Sequence, residues 1–152
     1  MMNIGRPPVF STSYDRAACD IGIVHLGYGA FHRAHQAVYV DDYMDRTGDL
    51  GWGIAAVNLR ASESDEFAFA QASDEGYLLK SSGNNMAADY RLVRPHIAFA
   101  DWSQDADAAE ALVALDTVHA ISVTVTESGY YLDDSGDLNL NDNVISTELE
   151  GG

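Results

Sequence analysis

An apolar run, Ile21 to Leu26, passes directly into Gly27-Tyr28-Gly29 and then into a helix-spaced pattern, and this order constrains the fold more than any other feature of the chain. The pattern places Ala34, Ala37, Val40 and Met44 on one helical face. Gly27 permits a sharp exit from a strand. Gly29 has no Cβ, so a pyrophosphate can approach the backbone there. A helix start behind the turn offers free N–H groups and the positive end of a dipole. Strand, glycine turn and helix form the opening unit of a dinucleotide-binding fold. His32 stands where the usual G-x-G-x-x-G has its third glycine. On these residues alone, a pyrophosphate turn and an ordinary strand-to-helix turn stand side by side.

The rest of the chain alternates in the same way. The first helix is expected to end near Thr47, with Gly48 just past its end. Trp52 to Leu59 reads as a second strand, and Ser62 as the cap of a second helix. Tyr77 to Ser81, Asp89 to Val93 and His96 to Ala100 are strand-like, and Ser103 is placed to cap a helix from Gln104 to Leu115. Ala120 to Thr126 is the strongest strand, and its β-branched residues suit a buried parallel position. Tyr130–Leu132 and Leu138–Leu140 flank a plausible hairpin turn, and the residues after Asn141 show no clear structural stop. The alternation predicts an α/β, Rossmann-like, doubly wound and mostly parallel sheet over residues 20–152, behind a lead-in at 1–19 that is loop-like at Ser11-Thr12-Ser13. Leu26–Gly29, Asn58–Arg60 and Thr126–Glu127 are then expected to gather at one sheet edge.

Composition narrows the partners. With 24 Asp plus Glu against 8 Lys plus Arg, the net charge is −16, and Lys80 is the single lysine. Nucleic acid would be repelled over most of such a surface. The acidity suits a salt-rich milieu and equally an ordinary soluble protein. The 152 residues contain no run that approaches a membrane span, and Cys19 is the lone cysteine. A cytoplasmic protein without disulfide or membrane partner is expected.

The segment Gly27-Tyr28-Gly29-Ala30-Phe31-His32-Arg33-Ala34-His35-Gln36 resembles the mannitol dehydrogenase family in its pattern G-x-G-x-F-x-R-A-H-Q. These polyol and sugar-acid dehydrogenases include mannitol 2-dehydrogenase and fructuronate reductase. Ser122 to Tyr131 is similar to the family's T-x-T-E-x-G-Y, and Trp52-Gly53-Ile54 with Val57-Asn58-Leu59 is a looser match. The resemblance runs from about Ile21 to the end of the chain. It implies NAD or NADP as cofactor, a hexitol, pentitol or hexuronate as substrate, and a following helical catalytic domain that carries a Lys with nearby Asn and His. Lys80 does not match that motif, so the chain alone is expected to show no turnover.

The cofactor-binding candidates are Gly27, Tyr28, Gly29, Ala30, Phe31, Arg33, Asn58, Arg60 and Thr126. Arg33 can pair with a phosphate or a carboxylate, or be a solvated helix charge. No acidic residue ends the second strand. Arg60 there can accept a 2′-phosphate, while Glu63 or Asp65 can reach a ribose, so the choice between NAD and NADP stays open. By resemblance Glu127 lies near the nicotinamide as an accessory proton-path or gating group; a strand-end acid is the plain alternative. His32 and His35 have a metal-compatible spacing, but packing or surface histidines are the simpler reading, and no metal is expected. A stand-alone nucleotide-binding or sensor module is the alternative function. A methyltransferase, whose sheet can open with a similar turn, is disfavoured by the F-x-R-A-H-Q and T-x-T-E-x-G-Y segments.

Overall fold

The computed structural model describes residues 7–73, 75–82, 88–125 and 127–151. Strands β1 (Val9–Ser11) and β2 (Ile21–Leu26) are followed by α1 (Ala30–Ala34), α2 (Gln36–Thr47) and β3 (Gly53–Asn58). Then come α3 (Ser64–Gln71), β4 (Tyr77–Ser81), β5 (Asp89–Val93), β6 (His96–Asp101), α4 (Ala106–Val113), β7 (Ala120–Val123) and α5 (Asn143–Gly151). Two sheets result. The larger has the order β6-β3-β2-β7, all parallel. The smaller has the order β1-β5-β4, with β1 parallel and β4 antiparallel to β5.

Alternation along β2 and β3 divides the core between the two faces of the larger sheet. Val24, Ala55 and Val57 pack with Ala100 and with Ala109 of α4 on one face. Ile23 and Ile54 pack with Ala37 of α2 and Val93 of β5 on the other. Every residue of β3 is buried, and its Gly and Ala residues let the flanking layers come close. α2 ends where the sequence predicts, with Gly48 in the left-handed region at φ 70° and its N–H donated to Met44 O.

Several local expectations are corrected. The helix after the glycine turn is two helices, because the chain breaks at His35 (φ −124°, ψ −82°). Exposed stacking of His35 on Phe31, with ring centroids 4.3 Å apart, accompanies the break. Ser11 is in a strand, not a loop. Beyond β1, Thr12 Oγ1 and Tyr14 OH both donate to the buried Asp41 of α2, at 3.1 and 2.7 Å, and Asp41 also pairs with Arg91 of β5. Ser62 caps nothing: residues 61–63 form a 3-10 turn, and α3 starts without a side-chain cap. Asp105, not Ser103, caps α4 by accepting from Ala108 N–H at 2.9 Å, because the Ser103 hydroxyl is already donated to Asp101. The strongest predicted strand, β7, is parallel to β2 but stands at the sheet edge with Ile121 54% and Val123 57% exposed. The predicted hairpin is a single bridge, Leu132 to Leu138, and residues 143–151 are helical, started by Asp142 accepting from Val144 N–H.

Candidate functional site

The site begins where β2 ends. Gly27 has φ 109°, a conformation that side-chain-bearing residues rarely adopt, and its N–H donates to Val57 O of β3 at 2.7 Å. The backbone therefore turns out of the sheet while still tied to the neighbouring strand. Gly29 follows with ordinary extended angles and precedes α1. A Cβ built on Gly29 meets no heavy atom within 4 Å, so the space in front of it is open.

That space is a cleft of about 490 Å³. Gly27, Gly29, Ala30 and Phe31 line it from the turn, Asn58 and Arg60 from the end of β3, and Val123, Thr124, Val125 and Gly129 from the chain leaving β7. Of the three predicted strand ends, Leu26–Gly29 and Asn58–Arg60 gather here, and Val123–Val125, just before the third, lie beside them. A parallel sheet produces this gathering, since all its strands end on one side. Thr126 and the side chain of Glu127 lie outside the described residues; the backbone of Glu127 belongs to a 3-10 turn, Glu127–Tyr130.

The predicted residues take different positions. Tyr28 is a wall more than a contact: Phe67, Phe99, His96 and Tyr77 meet its ring edge-on, and the Arg33 guanidinium lies 5.0 Å above it. Arg33 lies off the main cleft and lines an adjoining cavity of about 400 Å³ with Gly29, Ala30, Asn58, Glu63 and Glu66. Its Nε is buried without a hydrogen-bond partner. Asn58 is buried, and its amide is engaged in the fold: Nδ2 donates to Arg60 O at 2.9 Å and to Asp101 Oδ2 at 3.0 Å. Arg60 is exposed and pairs with Glu63 at 3.1 Å, a contact of small net worth in solvent. Lys80 stands on β4 of the smaller sheet and lines no part of the cleft.

Sequence reasoning missed a buried histidine cluster beneath the turn. His25, two residues before Gly27, stacks on His32 of α1 with ring centroids 3.5 Å apart and planes 7° from parallel. His32 Nε2 lies 2.8 Å from Nε2 of His96, the first residue of β6. All three are buried. Burial pushes His25 down to about 4. Burial, and then the neighbouring His25, push His32 down to about 4 against its hydrogen bond to Gln36 Oε1. Burial, then His32 and His25, hold His96 well below the usual range. The imidazoles are neutral at pH 7. No group of three or more His, Cys, Asp or Glu side chains among the described residues is arranged to hold a metal. Nor is any described helix long and apolar enough to cross a membrane. His25 and His96 are scattered in sequence, so only the β2–β3–β6 pairing could have pointed to the cluster.

Comparison with known proteins gives this geometry its context. A model of the mannitol dehydrogenase Rossmann domain matches residues 21–149. Mannitol 2-dehydrogenase of Pyricularia oryzae is 35% identical over 125 residues, which cover 81% of this chain and 24% of that protein. D-mannonate oxidoreductase of Escherichia coli is 34% identical over 158 residues, 94% of this chain and 30% of that one. Among solved structures, Pseudomonas fluorescens mannitol 2-dehydrogenase in a ternary complex with NAD and D-mannitol superposes with a TM-score of 0.80. Its identity is 30%, over 96% of this chain and 30% of that chain. D-sorbitol dehydrogenase in substrate-free form gives a TM-score of 0.76 at 25% identity, over 94% and 30% of the two chains. The chain thus spans between 24% and 30% of the length of these relatives. The glycine turn, the cleft it opens and the match over residues 21–149 together show that the chain belongs to the mannitol dehydrogenase family, through its Rossmann domain.

Proposed function

We propose that this chain binds NAD or NADP over Gly27–Gly29 and serves as the dinucleotide-binding part of a cytoplasmic dehydrogenase acting on a polyol or a sugar acid. The observation that carries the reading is the open cleft in which the positive-φ turn, the end of β3 and the chain after β7 converge. The residues fit the group: a Cβ on Gly29 would meet nothing within 4 Å, and Arg33 lines the adjoining cavity beside Glu63 and Glu66. The relative solved with NAD and D-mannitol supports the same assignment.

Gly29, Ala30 and Phe31 would hold the pyrophosphate through backbone N–H groups, Gly27 would turn the chain towards it with its own N–H kept on Val57 O, and Arg33 would balance its charge from the side. Tyr28 would act as a wall and Asn58 as a strut that fixes the end of β3. Arg60 would read a 2′-phosphate by leaving Glu63, or stay paired when NAD is bound. Thr126 would approach the cofactor from the far side, with Glu127 as an accessory proton-path group. When bound, the nicotinamide gives or takes a hydride. The acid–base work at the substrate hydroxyl needs a further group, and Lys80 is on the wrong sheet for it. The chain alone therefore lacks turnover.

Titration calorimetry of the purified chain with NAD and with NADP tests the reading. Binding that Gly29→Val abolishes supports it; no heat with either nucleotide at about 1 mM, a ~4 kcal/mol interaction, contradicts it. Reduction of fructuronate or fructose by the 152-residue chain would contradict the inactivity.

A further inference from the structure

We propose that His25, His32, His96, Gln36 and Ser122 form a positioning unit that fixes the glycine turn and α1 for dinucleotide binding, by locking each imidazole into one neutral tautomer. The proposal rests on the cofactor site described above. It begins from how α1 is held: Tyr77 OH donates to Arg33 O and the Arg33 guanidinium lies over Tyr28 at one end, and His32 anchors the helix in the core. That helix has five residues, its N-cap Gly29 offers no side-chain bond, the chain breaks behind it at His35, and its single buried residue is His32. The placement of Ala30 and Phe31 on the cleft therefore depends on what holds His32 together with the Arg33 contacts.

Four elements hold it. His32 Nδ1 lies 2.9 Å from Gln36 Oε1, at the start of α2. The Ser122 hydroxyl of β7 donates to the same oxygen at 3.1 Å. Ser122 Oγ lies 2.8 Å from His25 Nδ1 of β2. His32 Nε2 meets His96 Nε2 of β6. With Gln36 Oε1 as an acceptor, the protons can be placed in one way only. His32 Nδ1–H and Ser122 O–H both donate to Gln36. Ser122 has then used its proton, so His25 Nδ1–H must donate to Ser122. His32 Nε2 is bare, so His96 Nε2–H donates to it. This leaves bare nitrogens at His25 Nε2 and His96 Nδ1, the two imidazole nitrogens buried without a partner. The reversed amide would instead bury two unmet N–H groups, the rarer and costlier condition.

Neutrality is part of the device. A cationic His25 or His32 would face a parallel ring at 3.5 Å. The charged groups directed at the set are Arg33 of α1 and Arg16, whose Nη2 donates to His96 O, and the phenol rings of Tyr28 and Tyr77 pack on His96. No ion pair joins these histidines to a carboxylate among the described residues. A proton here would meet repulsion from Arg33, Arg16 and the neighbouring imidazoles, opposed at His32 by the Gln36 acceptor.

The test uses the full chain, with imidazole ¹⁵N spectra at pH 7 and NADH titration. The expected spectra show neutral Nδ1–H tautomers for His25 and His32 and a neutral Nε2–H tautomer for His96. Ser122→Ala should release His25 to a tautomer mixture and weaken NADH by about tenfold, the worth of one buried hydrogen bond. Ser122→Thr, which keeps the hydroxyl, should restore both. If Ser122→Ala loses its fold by circular dichroism, Gln36→Met breaks the same unit from α2 and is read in the same way. A wild-type tautomer mixture, or a folded variant whose NADH affinity stays within about twofold, overturns the positioning role while the cofactor site stands. No NADH binding by the wild type overturns both.

Discussion

β3 and β7 flank β2 in one parallel sheet, yet they live in different surroundings. β3, Gly53–Asn58, has a strand on either side and is buried along its whole length. β7, Ala120–Val123, has the more β-branched continuation in sequence, a single neighbouring strand, and two apolar residues more than half exposed. Residue type therefore does not decide burial; neighbours do. The small residues of β3 are what let helices close over it. The bulky residues of β7 sit in solvent together with Val125, Tyr130 and Leu132. Both β6 and β7 are edges of the sheet, and β7 is the one that carries exposed branched side chains.

The sharpest way to break the comparison is to place a polar side chain in each strand. Val57→Asp, 1% exposed, should cost more than about 4 kcal/mol and leave little folded protein in urea denaturation. Ile121→Ser on β7 should cost under about 1 kcal/mol by the same measurement. Equal losses would show that β7 is as much part of the core as β3.

Acid sharpens the contrast next. His25 on β2 and His32 titrate near 4 in the native state against an ordinary 6.5. Between those values the unfolded chain binds protons that the native chain refuses. Stability is thus full above 6.5 and falls as pH drops toward 4. At pH 5 the loss is about 2 kcal/mol per histidine. A midpoint in urea that is flat from pH 7 to pH 5 would contradict the buried neutral cluster.

Much of this was legible in sequence, for identifiable reasons. The β2–Gly27–Gly29 unit, the stop at Gly48 and the strand expected at His96–Ala100, which runs on to Asp101, follow local rules of turn and pattern. The edge position of β7 was not legible, because β-propensity reports a preference for a pleated surface and not the presence of a second neighbour. The break at His35 and the capping by Asp105 in place of Ser103 turn on competing side-chain bonds one or two residues away. At the site, Gly27, Gly29 and Arg60 lie on the cleft as expected. The engagement of Asn58 with Asp101 and the joining of His25, His32 and His96 come from strand register, which no single segment encodes.

Smaller effects belong to the cleft itself. Gly29→Val should leave stability within about 1 kcal/mol, since its Cβ meets open space, while removing cofactor binding measured by calorimetry. Arg60→Ala should change stability by less than about 0.5 kcal/mol and lower any preference for NADP over NAD. An unchanged nucleotide preference would return Arg60 to a surface charge.

The central claim is that the glycine turn is the dinucleotide site, and backbone amide NMR during titration with NAD tests it most directly. The account predicts the largest shifts at Gly27, Gly29, Ala30 and Phe31, with a second group at Asn58–Arg60 and a third at Thr124, Val125 and Gly129. Shifts confined to the apolar groove between α4 and the sheet, at Trp102, Ala109 and Val113, would contradict it, as would amides that stay unmoved at saturating nucleotide.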